Sequence, residues 1–151
     1  METEYRYKNY YAKLGFDKTS LGNFIVSKDQ DAVFNILKES INNNGDWFSI
    51  FHKDELLMFG GYTHYWNGRC ALWTVYSNNM NLRHWFFVYD IAEKYINYLR
   101  SIGYNRIESS ADASNNKFCV WLDKLGFTKE GLMRRYGIMG EDCYLYSRVY
   151  K

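Results

Sequence analysis

Three cysteines, three histidines and one arginine pair are the side chains whose chemistry could go beyond packing. Cys70, Cys119 and Cys143 could supply thiolates, to a metal or to an electrophile. Their odd number and wide spacing fit neither a disulfide framework nor the close pairs of a zinc site. A reducing compartment is expected. His52, His64 and His84 have no ligand spacing with one another, so no metal is expected. Cys119 falls on a helical segment with an apolar inward face, which favours an inert thiol over a nucleophile. Arg134 and Arg135 read as exposed charges on an alternating strand.

The elements that position these groups belong to a chain of 151 residues, enough for a single domain, 1–151, with one full core. Nineteen basic and 17 acidic residues leave a formal charge of +2, without the basic footprint that phosphate neutralisation demands, so no nucleic-acid partner is expected. Aromatic residues make up 20% of the chain and read as core or interface. No run of about 18 apolar residues occurs and the first turns have no apolar core, so neither a membrane span nor a signal peptide is expected. These features point to a soluble, cytoplasmic protein, or to host cytoplasm or a virion if the source is viral.

A strand is expected over Asn23 to Val26. Ser27 and Gln30 have capping-box spacing, and Ala32, Val33, Ile36, Leu37 and Ile41 share one face of a helix over 29–42 that ends in the NNNG run. From Trp47 to Ser77, apolar runs broken by KDE and by Asn67-Gly68 predict three antiparallel strands, with Gly60 and Gly61 marking a bulge or a close backbone approach. Val88, Ile91, Ala92, Tyr95, Leu99 and Ile102 keep helical spacing from a start near Trp85, and Gly103 supplies the stop. A strand follows over 104–112, with Ile107, Ser109 and Ala111 on one face. The next helix turns Phe118, Trp121, Leu122 and Leu125 inward and ends at Gly126. The tail alternates around Gly140 as a closing hairpin. The fold class is α/β (α+β).

This element order, with NNKFCVWLDKLGFTKEGLMRRYGIMGEDCYLYSR from Asn115 to Arg148, resembles the GNAT superfamily of acyl-CoA-dependent N-acetyltransferases. The matching features are the asparagine eleven residues before the glycine of L-G-F, the Glu130-Gly131 pair, and Tyr-Ser near the end. The resemblance implies a mixed, mostly antiparallel sheet flanked by helices. It also implies acetyl-CoA as co-substrate, its pantetheine laid along the strand Ala71 to Tyr76 at Val75, and Asn115 at the cofactor. In the family the pyrophosphate rests on a glycine-containing loop at a helix N-terminus, where unpaired N–H groups and the dipole attract anions. That loop corresponds to SNNMNLRHW, residues 77–85, where both glycine positions carry side chains. Arg83 and His84 are the implied phosphate contacts, helped by Asn78 and Asn79.

The implied reaction is acetyl transfer to a small-molecule or peptide amine, which needs an acceptor for the amine proton and an acid for the departing thiolate. Where the family often has a tyrosine, four residues before the L-G-F glycine, this chain has Leu122. Glu108, Asp112 and Tyr146 are the substitutes. The run from Gly60 to Ser77 also resembles GNAT-like proteins of short-tailed bacteriophages. That resemblance implies instead a non-catalytic virion or assembly protein that binds protein partners or itself.

Overall fold

Tight turns set the first half of the fold, as seen in a computed structural model that describes residues 4–14 and 47–151. The strand expected over Asn23 to Val26 and the helix expected over 29–42 lie outside the described residues. Lys8 and Asn9 join β1 (Glu4–Tyr7) to β2 (Tyr10–Leu14), with Tyr7 opposite Tyr10. Lys53 and Asp54 join β3 (Phe48–His52) to β4 (Glu55–Trp66), with His52 opposite Glu55. Asn67 and Gly68 join β4 to β5 (Arg69–Tyr76), and Gly68 takes the positive φ, 88°, that this hairpin requires. The three strands expected between Trp47 and Ser77 are therefore present.

The bulge in this region lies at Leu57. Ile50 pairs with Met58 and Phe51 with Leu56, whereas Gly60 pairs regularly with Phe48. The extra residue turns Leu56, Leu57, Met58 and Phe59 into a continuously buried run where simple alternation would expose half of them.

Helix α1 (Leu82–Ser101) starts three residues before the expected Trp85. Its buried stripe is Phe87, Val88, Ile91, Tyr95, Ile96 and Leu99, close to the predicted face, while Ile102 lies beyond the helix and is exposed. Strand β6 (Arg106–Asp112) buries Ile107, Ser109 and Ala111 as predicted. Helix α2 (Asn116–Lys124) buries Cys119 and Leu122, stacks Phe118 on Trp121, and ends at Gly126, whose φ is +74°. Strands β7 (Thr128–Met133) and β8 (Cys143–Val149) close the chain as an antiparallel pair. Arg134 and Arg135 lie in the connection after β7, not on a strand, because Arg135 turns left-handed at φ 52° and donates its N–H to the Asp142 carboxylate at 2.8 Å.

The chain groups into two compact units. Unit one comprises Met1–Tyr62 and Thr74–Lys94, and its strands follow the order β1-β2-β3-β4-β5. Its core is built on Ile50, Phe51, Leu57, Met58, Phe59, Val88 and Ile91. Unit two comprises Thr63–Trp73 and Tyr95–Lys151, ordered β4-β5-β6-β8-β7 around Cys70, Leu99, Ile107, Leu122, Leu125 and Tyr146. Only β5 and β6 are parallel among the register pairs described here; the others are antiparallel.

Candidate functional site

In unit two the parallel register of β5 with β6 runs through Arg69–Arg106, Cys70–Ile107 and Ala71–Glu108. Both strands continue past that point, β5 to Tyr76 and β6 to Asp112. The register is pinned at its last rung by charge. Glu108 accepts two hydrogen bonds from Arg69, at 2.8 and 2.9 Å, and one from Arg106 at 2.6 Å. Arg106 then grips Glu130 at 3.0 and 2.6 Å, and Glu130 also accepts the Ser147 hydroxyl at 2.6 Å. A bulge in β7 at Glu130, between Lys129 opposite Tyr146 and Gly131 opposite Leu145, aims this carboxylate. Glu130 of the Glu-Gly feature and Ser147 of the Tyr-Ser feature thus have a structural role: they complete an ion-pair network that holds β6 between its neighbours.

That network settles the chemistry of one expected base. Hydrogen bonds from Arg69, then Arg106, hold the Glu108 carboxyl below the usual carboxylate range although it is buried. Glu130 is held lower still, at about 2, by Arg106 and then Ser147. Neither is poised to take a proton near neutrality. Asp112 accepts both the N–H and the hydroxyl of Ser114, a local turn bond. Tyr146 is fully buried and burial pushes its phenol upward, so it stays a neutral phenol beside Cys119. Burial likewise pushes the Cys70 thiol up to about 12, which removes it as a nucleophile.

In unit one, Val75 is half-buried on β5, and Ser77 anchors the end of that strand by donating its N–H to the Leu57 carbonyl at 2.8 Å. The loop from Ser77 to His84 contains no residue with positive φ, so its backbone path does not need glycine. Helix α1 is instead closed by its own residues. The Asn81 side chain accepts the His84 N–H at 3.0 Å, and His84 Nδ1 accepts the Asn81 N–H at 3.2 Å. This is a reciprocal capping box with histidine in the place usually held by Glu or Gln. It uses two N–H groups that a phosphate would otherwise take. Burial, and then the neighbouring His52, push the His84 imidazole down, so the ring stays neutral. It offers a phosphate no positive charge. Asn78 and Asn79 are exposed, and the Asn79 N–H is turned to Ser77 Oγ at 3.2 Å.

Arg83 is exposed and lines a cleft of about 810 Å³ within unit one, together with Lys8, Lys53, Tyr7, Tyr10 and Phe86. Phe86 is 69% exposed. The cleft also meets His52, whose ring lies 4.4 Å from that of Tyr10 and 5.0 Å from that of His84, centroid to centroid. The fold therefore brings two histidines together that sequence spacing kept apart. Asn115 belongs to unit two, where its side chain caps α2 by accepting the Phe118 N–H at 3.1 Å.

Sequence reading missed three things here. The Asn81–His84 box had a signal, an asparagine three residues before a histidine at a polar-to-amphipathic junction. The ion-pair network joins residues as far apart as Arg69 and Glu108, which no local pattern links. The cleft depends on two turns converging.

No family model matches the chain, and no curated protein matches it in sequence. Solved structures do match. A ribosomal-protein-S5-alanine acetyltransferase from Vibrio fischeri aligns with a TM-score of 0.71 at 16% identity, covering 98% of this chain and 97% of that one. An acetyltransferase from Bacillus subtilis in complex with CoA aligns at 0.74 and 13% identity, covering 93% and 98%. A probable acetyltransferase of the GNAT family from Chromobacterium violaceum aligns at 0.72 and 16% identity, covering 99% and 92%. These neighbours are bacterial acetyltransferases, and they lend nothing to the bacteriophage resemblance. The chain has the fold of the GNAT acetyltransferases.

Proposed function

We propose that the protein is an N-acetyltransferase that carries an acetyl group from acetyl-CoA to an amine. The observation that carries this reading is the end of the parallel register at Ala71–Glu108, beyond which β5 continues toward Val75. A strand released from one neighbour can hydrogen-bond an extended ligand in sheet fashion, and the amides of a pantetheine arm suit such pairing. The Bacillus subtilis neighbour was solved in complex with CoA, and the Vibrio fischeri neighbour is a ribosomal-protein-S5-alanine acetyltransferase. Both support an acyl-CoA donor and an amine acceptor.

The residues fit the two halves of the cofactor unequally. Val75 and its strand suit the pantetheine arm; the side chain of Asn115, the contact that the resemblance implies, caps α2. The pyrophosphate half meets the closed Asn81–His84 cap, with the Leu82 and Arg83 N–H groups as first-turn donors outside that box. Bound acetyl-CoA would supply a thioester whose carbonyl carbon the neutral amine attacks; the C–N bond forms, the C–S bond breaks, and the thiolate takes up a proton. Leu122 has no proton to give. With Glu108 and Glu130 locked in ion pairs, Asp112 or water is left as the acceptor for the amine proton. Positioning carries the catalysis, and turnover should be slow.

A thiol-release assay with acetyl-CoA and two acceptors, a polyamine and an alanine-initiated peptide, tests this reading. Release that depends on an amine supports it; no amine-dependent release at millimolar acetyl-CoA would sink it. A second reading is a non-catalytic interaction protein on the same fold, and it is favoured by one observation, the self-closed start of α1. Acetyl-CoA binding without turnover would favour that reading.

A further inference from the structure

Two lysines in unit one occupy backbone positions that glycine or asparagine ordinarily fills. Lys8 has φ 54° at the first position of the two-residue β1–β2 turn, and Lys53 has φ 48° beside Asp54 at 64° in the β3–β4 turn. The Lys53 N–H donates to the Asn9 carbonyl at 2.9 Å, which ties the two turns to each other. Both lysines line the cleft that also receives Arg83.

Three cationic residues therefore line one concave space. Among the described residues none of the three is ion-paired. Asp90, the carboxylate on the wall, is engaged by Lys94 at 2.7 Å. Asn9, His52 and Asn81 add polar lining, and aromatic rings supply the rest: Tyr10 stacks against Phe87 at 4.9 Å on one side, and Phe86 projects into solvent. Lys8 Nζ lies 5.3 Å from the Tyr7 ring centroid. A volume of about 810 Å³ is that of a small-ligand pocket. Clustered ammonium and guanidinium groups suit phosphate oxygens, and exposed aromatic faces suit a planar base.

We propose that this cleft binds a nucleoside diphosphate, with Lys8, Lys53 and Arg83 on the phosphates and the base against Phe86 or Tyr7. The site shares Arg83 with the phosphate contact that the resemblance implies, but Lys8 and Lys53 lie on other elements, and the proposal does not rest on acetyl transfer. Lys8 and Lys53 stand at the tips of their hairpins with positive φ, so each carries a charge at a position where glycine or asparagine would fit the backbone with less strain.

Calorimetry with ADP, pyrophosphate and adenosine as probes tests this. ADP is expected to bind more tightly than either fragment, with affinity falling as salt rises. Lys8→Gly and Lys53→Asn remove an ammonium group at positions whose φ suits the new residue, so these variants fold; each should weaken ADP at least tenfold. Phe86→Ala should weaken ADP several-fold and leave pyrophosphate unchanged. Unchanged ADP affinity in both lysine variants would overturn the proposal. So would pyrophosphate or adenosine binding as tightly as ADP, or no ADP binding at millimolar concentration. Acetyl-CoA affinity should be the same in wild type and both lysine variants. A parallel loss would overturn the cleft as a separate site and would leave the acetyltransferase reading standing.

Discussion

The two units use charge in opposite ways. In unit two, Arg69, Arg106, Glu108 and Glu130 are cross-bonded to one another and to Ser147. In unit one, Lys8, Lys53 and Arg83 converge on a cleft. Charges that neutralise each other fix a strand register, and charges left facing a cavity wait for a ligand. The contrast separates structural from binding residues better than residue type does, since arginine stands on both sides of it.

The largest effect should come from breaking the paired side. Glu108→Gln leaves two guanidinium groups without their carboxylate; because both arginines are partly exposed, we expect a loss of about 2–3 kcal/mol in denaturant unfolding, below the range for fully buried pairs. No loss would mean that the network is ornamental. The same pairs set the acid limit. Glu108 and Glu130 have folded pKa values below those of the unfolded chain, so their stabilisation is complete above the ordinary carboxylate value of 4.5 and is lost as pH falls toward about 2. His84, with its folded pKa lowered, adds a smaller loss as pH falls below 6.5. Glu108→Gln should flatten the lower part of this profile.

Next in size is the helix cap. Asn81→Ala should cost about 1 kcal/mol by freeing the His84 N–H. Opening the start of α1 should also tighten acetyl-CoA, because a helix N-terminus with unpaired donors attracts phosphate. Unchanged affinity on titration would refute the closed cap as the obstacle. The smallest effect should come from the unpaired side. Lys53→Asn relieves a left-handed lysine and should stabilise the fold by roughly 0.5 kcal/mol, seen as a rise in melting temperature, whereas a fall would mean that the lysine supports the turn.

The fold was legible in the sequence because its signals are local. Asn67-Gly68 marked a hairpin, the spacing from Val88 to Leu99 marked a helix, and Gly126 marked a stop. The helix start near Trp85 was misplaced because polar Asn81 and His84 look like loop until their reciprocal bonds are seen. The site was less legible. The resemblance pointed to the junction at 77–85, and the absence of glycine there has a physical reason, a loop without positive φ. Lys8 and Lys53 stand 45 positions apart in the numbering, and no periodicity could announce that the Lys53 N–H reaches Asn9.

The central claim is that β5 beyond Ala71 holds an acyl-pantetheine arm. Thermal unfolding with acetyl-CoA tests it most directly: at a hundred times the dissociation constant, the bound state should gain about 2.7 kcal/mol, and acetyl-pantetheine should retain most of that affinity because the closed cap gives the nucleotide half little. No shift at millimolar concentrations of either compound would contradict the account.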